Sequence, residues 1–438
     1  MQNFYSAKAA RAIIIANMVG VGVFTTLGFQ LNDIQSGFPL LFLWALGGLA
    51  ALCGAMSYAE LGAALPRSGG EYNFLSRIYH PMAGFVSGWI SATIGFAAPI
   101  AAVALVFGDY MDLILPGDLP DWTHRLFAVG LVLLSTLIHG RDRIMSATFQ
   151  TLFTWLKIAL IIVFCAASMF LLKTPQTISV LPQAGDGAIL SSSASAIVLV
   201  YVYYAYTGWN AATYISGEME NPSRDLPKVL ISGTLLVTVL YVLINYAFLR
   251  SAPIADMLNQ KDVAYISALY IFGEKGALIM GIIFVLMLVS TVSAMVLAGP
   301  RALQMVGQDF SALKLLAREN KAGMPIVAIW CQSTIAIILI VTLTFKSIVI
   351  FASALLAFNS FVTVAGLFWL RYKEPDLPRP YKTWGYPFIP LLYLGITGFV
   401  LFYIIQTEPE KVRAALIIIA GASIFYLISR YMSKNRAP

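Results

Sequence analysis

Two stretches of the sequence place glycine beside polar or aromatic residues in the middle of long apolar runs. They are Gly20-Val21-Gly22 and the segment Tyr203-Tyr204-Ala205-Tyr206-Thr207-Gly208-Trp209-Asn210. Each glycine lowers helix stability by about 1 kcal/mol, so breaks are expected at Gly20, Gly22 and Gly208. At a broken helix, free N–H groups can bind a carboxylate and free carbonyls can accept an ammonium group. Together the two stretches predict a receptor for a zwitterion, built from backbone dipoles.

Both stretches also have ordinary structural explanations. Gly20 and Gly22 are compatible with close packing of small residues between membrane helices. Tyrosine and tryptophan normally form belts at the membrane interfaces, but the depth of these aromatic residues and the neighbouring Thr207-Gly208 argue against a belt. The first and sixth apolar runs are five apart, as expected for an inverted repeat. Paired broken helices are the best sequence indication of a transporter's substrate site.

Lys157 is the one charged residue deep inside an apolar run, the fifth. A lysine at mid-bilayer costs about 2.5–3.5 kcal/mol on insertion scales, so it is expected to face the protein interior rather than snorkel to an interface. No carboxylate lies at a similar depth, so its expected partners are carbonyls of the first broken run or the hydroxyls of Ser290 and Ser293. Those hydroxyls could instead bond their own helix. Lys157 is then either a fixed cation in place of a metal ion or a titrating proton carrier, and the residues leave both open.

The apolar runs themselves are the elements that must position these groups. Of the 438 residues, 59% are hydrophobic and 11% are charged, against about 45–50% and 25% in globular domains. With a mean hydropathy of +0.80, the chain is predicted to be an all-α membrane protein of about twelve transmembrane helices, forming a single domain over 1–438. In chain order the predicted spans are Arg11–Phe29, Pro39–Leu65, Pro81–Leu115, Arg125–His139, Ala147–Leu172, Ser191–Gly217, Val229–Leu249, Gly276–Gly299, Ile326–Phe345, Ile348–Leu370, Pro387–Gln406 and Val412–Tyr431.

The distribution of basic residues predicts the orientation of the chain. The formal net charge is +7, and about two thirds of the 28 Lys and Arg residues lie on the side that holds both termini. Lys and Arg are enriched in cytoplasmic connections, so both termini are expected in the cytoplasm and the protein in the inner membrane. The same bias accounts for the positive net charge, so nucleic acid is not expected as a partner.

Other classes of membrane protein fit the sequence less well. Its three histidines, His80, His124 and His139, lie near span ends without metal-ligand spacing, and no nucleophile motif or phosphate-binding loop is present, so no enzyme, metal or cofactor is predicted. A channel would show a selectivity-filter loop or rings of charge. Gly140-Arg141-Asp142-Arg143 is faintly similar to the basic loop of major-facilitator carriers, but it follows span four instead of span two.

Motifs spread over nearly the whole chain carry a family resemblance. The sequence resembles the amino acid–polyamine–organocation superfamily, most closely its L-type amino acid transporters. The matching segments are Gly20-Val21-Gly22-Val23-Phe24, Leu65-Pro66-Arg67-Ser68-Gly69-Gly70-Glu71-Tyr72, the run from Tyr204 to Lys228, Arg379-Pro380-Tyr381 and Tyr386-Pro387.

The resemblance implies a five-plus-five inverted-repeat fold with broken spans one and six and two extra C-terminal helices. Repeat one would cover about residues 11–172, repeat two about 191–370 and the extra helices about 387–431. Lys157 would take the place of a sodium ion in sodium-coupled relatives, with Ser290 and Ser293 beside it and Tyr204 as the aromatic gate. The substrate-binding residues implied are Met18, Val21, Gly22, Tyr204, Thr207 and Asn210.

Two departures from the family pattern bear on the substrate. Val21 replaces a serine, and Thr207 replaces a common glycine. Both are compatible with a small neutral amino acid such as alanine or serine. The implied function is sodium-independent exchange of such amino acids by alternating access; the alternative is a proton-coupled importer that uses Lys157 as its titrating group.

The expected partners are the amino acid substrate and the lipid bilayer. Animal members of the family pair with a glycoprotein through a cysteine between spans three and four. Pro116 to His124 contains no cysteine, so no disulfide-linked heavy chain is expected, and the chain looks like a bacterial, self-sufficient form.

Overall fold

The computed structural model describes residues 5–115, 120, 122–141 and 143–434, and in these ranges the protein is helical. The first nine α-helices are α1 Ala7–Met18, α2 Val21–Gln30, α3 Gly37–Ala64, α4 Glu71–Ile78, α5 Pro81–Ile90, α6 Ala98–Ile114, α7 Thr123–His139, α8 Arg143–Phe170 and α9 Asp186–Leu190. The other nine are α10 Ser193–Tyr206, α11 Pro222–Ser251, α12 Ile254–Met257, α13 Val263–Ala298, α14 Pro300–Asp309, α15 Ile326–Thr342, α16 Phe345–Lys373, α17 Phe388–Thr407 and α18 Pro409–Lys434. A π-helix covers Ser91–Ala97, and 3₁₀ helices cover Ala211–Glu218 and Ser311–Ala317.

Nine helical segments of the described ranges are long and apolar enough to cross a membrane. Two shorter apolar helices, α7 and α15, and the fourteen-residue α10 add to them. The prediction of an all-α, multi-pass membrane protein is therefore confirmed.

Spans one, three and six are interrupted rather than continuous. Span one divides into α1 and α2 around Val19 and Gly20, and span six becomes irregular after α10 and ends as a 3₁₀ helix. Span three changes from α to π geometry at Ser91–Ala97, a change that the sequence did not indicate. Short π segments inside α-helices are frequent at functional sites.

Helix α13 consists of two helices that meet at a kink at Gly273, where φ is +70° and the backbone is not helical. The predicted span eight, Gly276–Gly299, corresponds to the second of these helices, which ends at Ala298. The first helix, before the kink, was not predicted. Only glycine adopts this left-handed conformation at little cost, so the bend falls there.

Burial ranks the spans from centre to periphery. In the most apolar stretch of span one, 94% of residues are buried inside the protein, against 28% in α17 and 17% in α18. Span one therefore runs through the centre of the molecule, and the last two helices lie at its outside.

Candidate functional site

The break in span one is a tight turn centred on Val19. The N–H of Gly20 donates to the carbonyl of Met18 at 2.7 Å, and Val19 has φ −72° and ψ 80°, the geometry of an inverse γ-turn. Gly20 thus gives up the helical hydrogen bond it would make to Ala16, which leaves the carbonyl of Ala16 available to other donors. Val19 is the C-cap of α1, so its carbonyl also lies at the end of the helix. The first N–H groups of α2 have no side-chain cap.

Gly22 does not form part of this break. It is the second residue of α2, and a Cβ atom there would lie only 2.7 Å from the Cα of Ala205 in α10. The prediction of a helix break at Gly22 was therefore wrong, and close packing of small residues explains this glycine. Gly20, by contrast, lies at the break as predicted, with a Cβ position 2.9 Å from Thr291 Cγ2.

The break in span six depends on Gly208. Its φ is +96°, and a Cβ atom there would lie 3.0 Å from both the carbonyl carbon and the Cβ of Asn17. A side chain at this position would be strained by the backbone and would push against α1. The two broken segments therefore lie in contact, as the paired glycine stretches predicted.

Lys157 is fully buried and bonds the freed part of span one. Its Nζ donates to Val19 O at 3.0 Å, Ala16 O at 3.4 Å and Thr291 Oγ1 at 2.7 Å. An ammonium group has three N–H donors, and these contacts use all three. No carboxylate pairs with Lys157 in the described ranges. The prediction of a buried lysine held by backbone carbonyls and a hydroxyl is therefore confirmed.

The hydroxyl that reaches Lys157 is not the predicted one. It belongs to Thr291, which lies between Ser290 and Ser293 on α13 and also contacts Val19 O at 3.1 Å. Ser293 instead bonds His139 Nε2 at 2.5 Å. Successive residues of a helix point about 100° apart, so only one of the three can face the lysine at this height.

Tyr241 connects the two broken spans. Its hydroxyl lies 2.5 Å from Met18 O in span one and 3.0 Å from Ala205 O in span six. A phenol has one proton, so it donates to one of these carbonyls at a time. This residue could not be identified from the sequence, because a tyrosine inside a long apolar helix cannot be distinguished there from an aromatic residue that only packs.

A cavity of about 40 Å³ opens beside the second break. Three predicted residues line it, Thr207, Gly208 and Asn210, whereas Met18, Val21, Gly22 and Tyr204 do not. The sequence analysis missed most of the other lining residues, which are Asn17, Glu71, Gly95, Phe96, Pro99, Tyr203, Trp209, Tyr214, Met295, Leu356 and Ser360. The cavity has room for about three water molecules. The space available at the site is thus small.

Glu71 is the buried carboxylate of this cavity, with 2% of its surface exposed. It accepts hydrogen bonds from Asn210 Nδ2 at 2.5 Å, from Tyr58 at 3.0 Å and from Tyr214. Burial raises the pKa of this carboxyl above its usual 4.5, although the three donors act in the opposite direction. Glu71 was noted in the sequence only as part of a family motif.

A second set of contacts fixes the 3₁₀ helix that completes span six. Gly69 and Gly70, both with positive φ, donate their N–H groups to Tyr214 O and Thr213 O, each at 3.2 Å. At the far end of this helix, Glu218 pairs with the fully buried Arg301 at 3.0 Å. The connection after span two and the first turn of α14 therefore both hold the 3₁₀ half of span six.

Two broken helices in contact with each other, beside a small polar cavity, are typical of the substrate site of a secondary transporter. The sequence profile described as amino acid permease matches residues 6–426, and the chain belongs to this family. It is therefore an amino acid transporter and not an enzyme, and its membership of the amino acid–polyamine–organocation superfamily is confirmed.

Three relatives show the range of the similarity. The chain is 28% identical to the large neutral amino acids transporter small subunit 2 of Oryctolagus cuniculus, over 96% of this chain and 79% of the relative. It is 26% identical to the b(0,+)-type amino acid transporter 1 of Mus musculus, over 96% and 86%. It is 27% identical to the Asc-type amino acid transporter 1 of Homo sapiens, over 98% and 82%.

Proposed function

We propose that the protein exchanges small neutral L-amino acids, such as alanine and serine, across the cytoplasmic membrane without sodium. The observation that carries this proposal is the position of Lys157. Its ammonium group occupies three oxygen acceptors at the break in span one. Carbonyl and hydroxyl oxygens are the ligands that hard cations such as sodium prefer. Because the tethered ammonium group of Lys157 already occupies these oxygens, the site does not need a sodium ion.

The substrate zwitterion binds between the two breaks. Its carboxylate takes the N–H groups at the start of α2, near Val21 and Gly22, which have no side-chain cap. Its ammonium group binds on the side of Met18 and Tyr204, whose carbonyls must first release the hydroxyls of Tyr241 and Thr207 that they now accept from. Thr207 and Asn210, which line the cavity, then face the substrate side chain.

The small cavity must widen before it can hold a substrate. Alanine has six non-hydrogen atoms, and a space for about three waters does not hold it. Tyr204 lies just before the break in span six, is 4% exposed and is outside the cavity lining. In the proposed cycle it acts as the gate, and movement of α10 away from α2 opens the site.

The proposed architecture has twelve spans, arranged as two inverted repeats of about residues 11–172 and 191–370 within one domain. Helices α17 and α18 are the two additional spans, in keeping with their position outside the bundle. Both termini then lie in the cytoplasm and the protein in the inner membrane.

The protein is also proposed to work without a disulfide-linked heavy chain. One relative is named a small subunit, but the segment Pro116 to His124 of this chain has no cysteine. Of that segment, 116–119 and 121 lie outside the described residues.

Counterflow in proteoliposomes tests the proposal. Uptake of radiolabelled alanine should require amino acid inside the vesicles and should be the same in sodium and choline buffers. A panel of unlabelled amino acids inside the vesicles then reads out the side-chain preference.

The alternative, a proton-coupled importer, predicts a different pattern. Among the described residues, the acceptors of Lys157 are all neutral, so loss of its proton would leave no carboxylate unpaired there. Alanine uptake into empty vesicles, driven by an acidic exterior, would support this alternative and refute exchange. Uptake that depends on sodium would refute both.

A further inference from the structure

A second pocket, of about 700 Å³, lies near the start of span seven and away from the transport site. Its walls come from α1, from the first turns of α11 and from the connection after α16. Three basic side chains line it, Arg11 of α1 and Arg224 and Lys228 of α11, together with apolar residues that include Ile231 and Leu235.

None of the three cations forms an ion pair with another residue that the structure describes. The Nε atom of Arg11 is buried there without a hydrogen-bond partner. Asp225 is in the same turn as Arg224 but does not line the pocket. Because positive side chains near a helix N-terminus are unfavourable, Arg224 and Lys228 at the start of α11 leave an excess of positive potential.

The same face of α11 changes from basic to apolar along its length. Arg224 and Lys228 are followed at helical spacing by Leu235, Val239 and Leu243, which are 50%, 49% and 44% exposed. Residues four apart lie on one side of a helix, so these side chains form a continuous line from the pocket along the lipid-facing surface. This order of charge and then hydrocarbon matches the order of headgroup and acyl chain in a phospholipid.

We propose that this pocket binds an anionic phospholipid, with its phosphate among Arg11, Arg224 and Lys228 and an acyl chain along Leu235, Val239 and Leu243. Basic pockets between membrane helices on the cytoplasmic side have the chemistry for anionic headgroups. A bound lipid also joins α1, half of a broken span, to the unbroken α11. It therefore stabilises the arrangement in which those two helices are packed together.

The test compares two pairs of charge-neutralising substitutions. The double variant Arg224→Gln/Lys228→Gln removes two pocket cations, and Lys314→Gln/Arg318→Gln removes two basic residues that do not line this pocket. Each basic residue near the membrane contributes about a fivefold gain in affinity for an anionic lipid, so the pocket variant should bind phosphatidylglycerol about 25-fold more weakly. The control pair should bind as the wild type does.

Binding is measured by native mass spectrometry of the detergent-solubilised protein and by the rise in thermal midpoint on titration with phosphatidylglycerol. Phosphatidylcholine and inorganic phosphate are the comparison ligands. Equal losses in both double variants would show diffuse attraction and overturn the proposal. Saturation by inorganic phosphate alone, in competition with the lipid, would also overturn it, because the pocket would then be a site for a soluble anion.

Discussion

Replacing Lys157 with alanine should reduce amino acid exchange strongly. The substitution removes the ammonium group that bonds Ala16 O and Val19 O at the break in span one. Val19 O retains the Thr291 hydroxyl at 3.1 Å, but Ala16 O has already lost its helical partner, because the N–H of Gly20 turns to Met18.

The size of the effect follows from that orphaned carbonyl. A buried polar group without a partner costs about 1–3 kcal/mol, which corresponds to a change of about 5-fold to about 150-fold in the population of the broken conformation. Exchange requires that conformation, so the rate should fall by a similar factor. The loss should exceed this range if the positive charge is also required for substrate binding.

The assay is uptake of labelled alanine into alanine-loaded proteoliposomes, with protein recovery and thermal midpoint checked in parallel. Lys173→Ala is the matched control, since that lysine lies exposed beyond the end of α8. Thr291→Val should lower exchange in the same direction, whereas Ser290→Ala should have a smaller effect. Wild-type exchange by a folded Lys157→Ala protein would refute the reasoning.

Three further substitutions test the neighbouring contacts. Gly208→Ala should lower both the thermal midpoint and the exchange rate, because a left-handed backbone costs an L-residue about 1–2 kcal/mol. The control Gly130→Ala, at a position on α7 with open space around it, should change neither quantity. Equal effects of the two substitutions would contradict the argument. Tyr241→Phe should destabilise the protein by about 1–3 kcal/mol, measured by thermal denaturation, and an unchanged midpoint would show that the link between the broken spans is dispensable. Because the pKa of Glu71 is raised in the folded protein, that state binds more protons above pH 4.5, so stability should fall as the pH rises through this window. Glu71→Gln should flatten the dependence of stability on pH above pH 4.5. If the slope is unaltered in this variant, the Glu71 carboxyl is not the cause of the pH dependence.

Most of the membrane spans and the breaks in spans one and six could be predicted from the sequence, because each depends on residues that are close together in the chain. Long apolar runs identify spans whatever packs against them, and glycine at Gly20 and Gly208 marks positions where a helix is weak. A lysine in an apolar run likewise must find acceptors, and Lys157 finds the carbonyls that the first break releases.

Features that depend on how helices rotate against each other could not be predicted in this way. Thr291 rather than Ser290 or Ser293 meets Lys157 because packing fixes the orientation of α13, and all three residues look equivalent in the sequence. The position of Glu71 could not be predicted either, because the polar loop before it looks like a simple turn in the sequence. Only the docking of that loop onto the 3₁₀ helix of span six places its carboxylate in the cavity.

The position of Lys157 also bears on what can drive transport. A free cation in an oxygen site binds and leaves during each cycle, so its gradient can do work on the substrate. An ammonium group tethered to α8 stays with the protein as long as it keeps its proton, so that no ion gradient is coupled through this site. A substrate zwitterion carries no net charge, and the proposed exchange therefore moves no charge across the membrane. Under this mechanism, the amino acid gradients alone set the direction of net flux, and a membrane potential should leave the exchange rate unchanged.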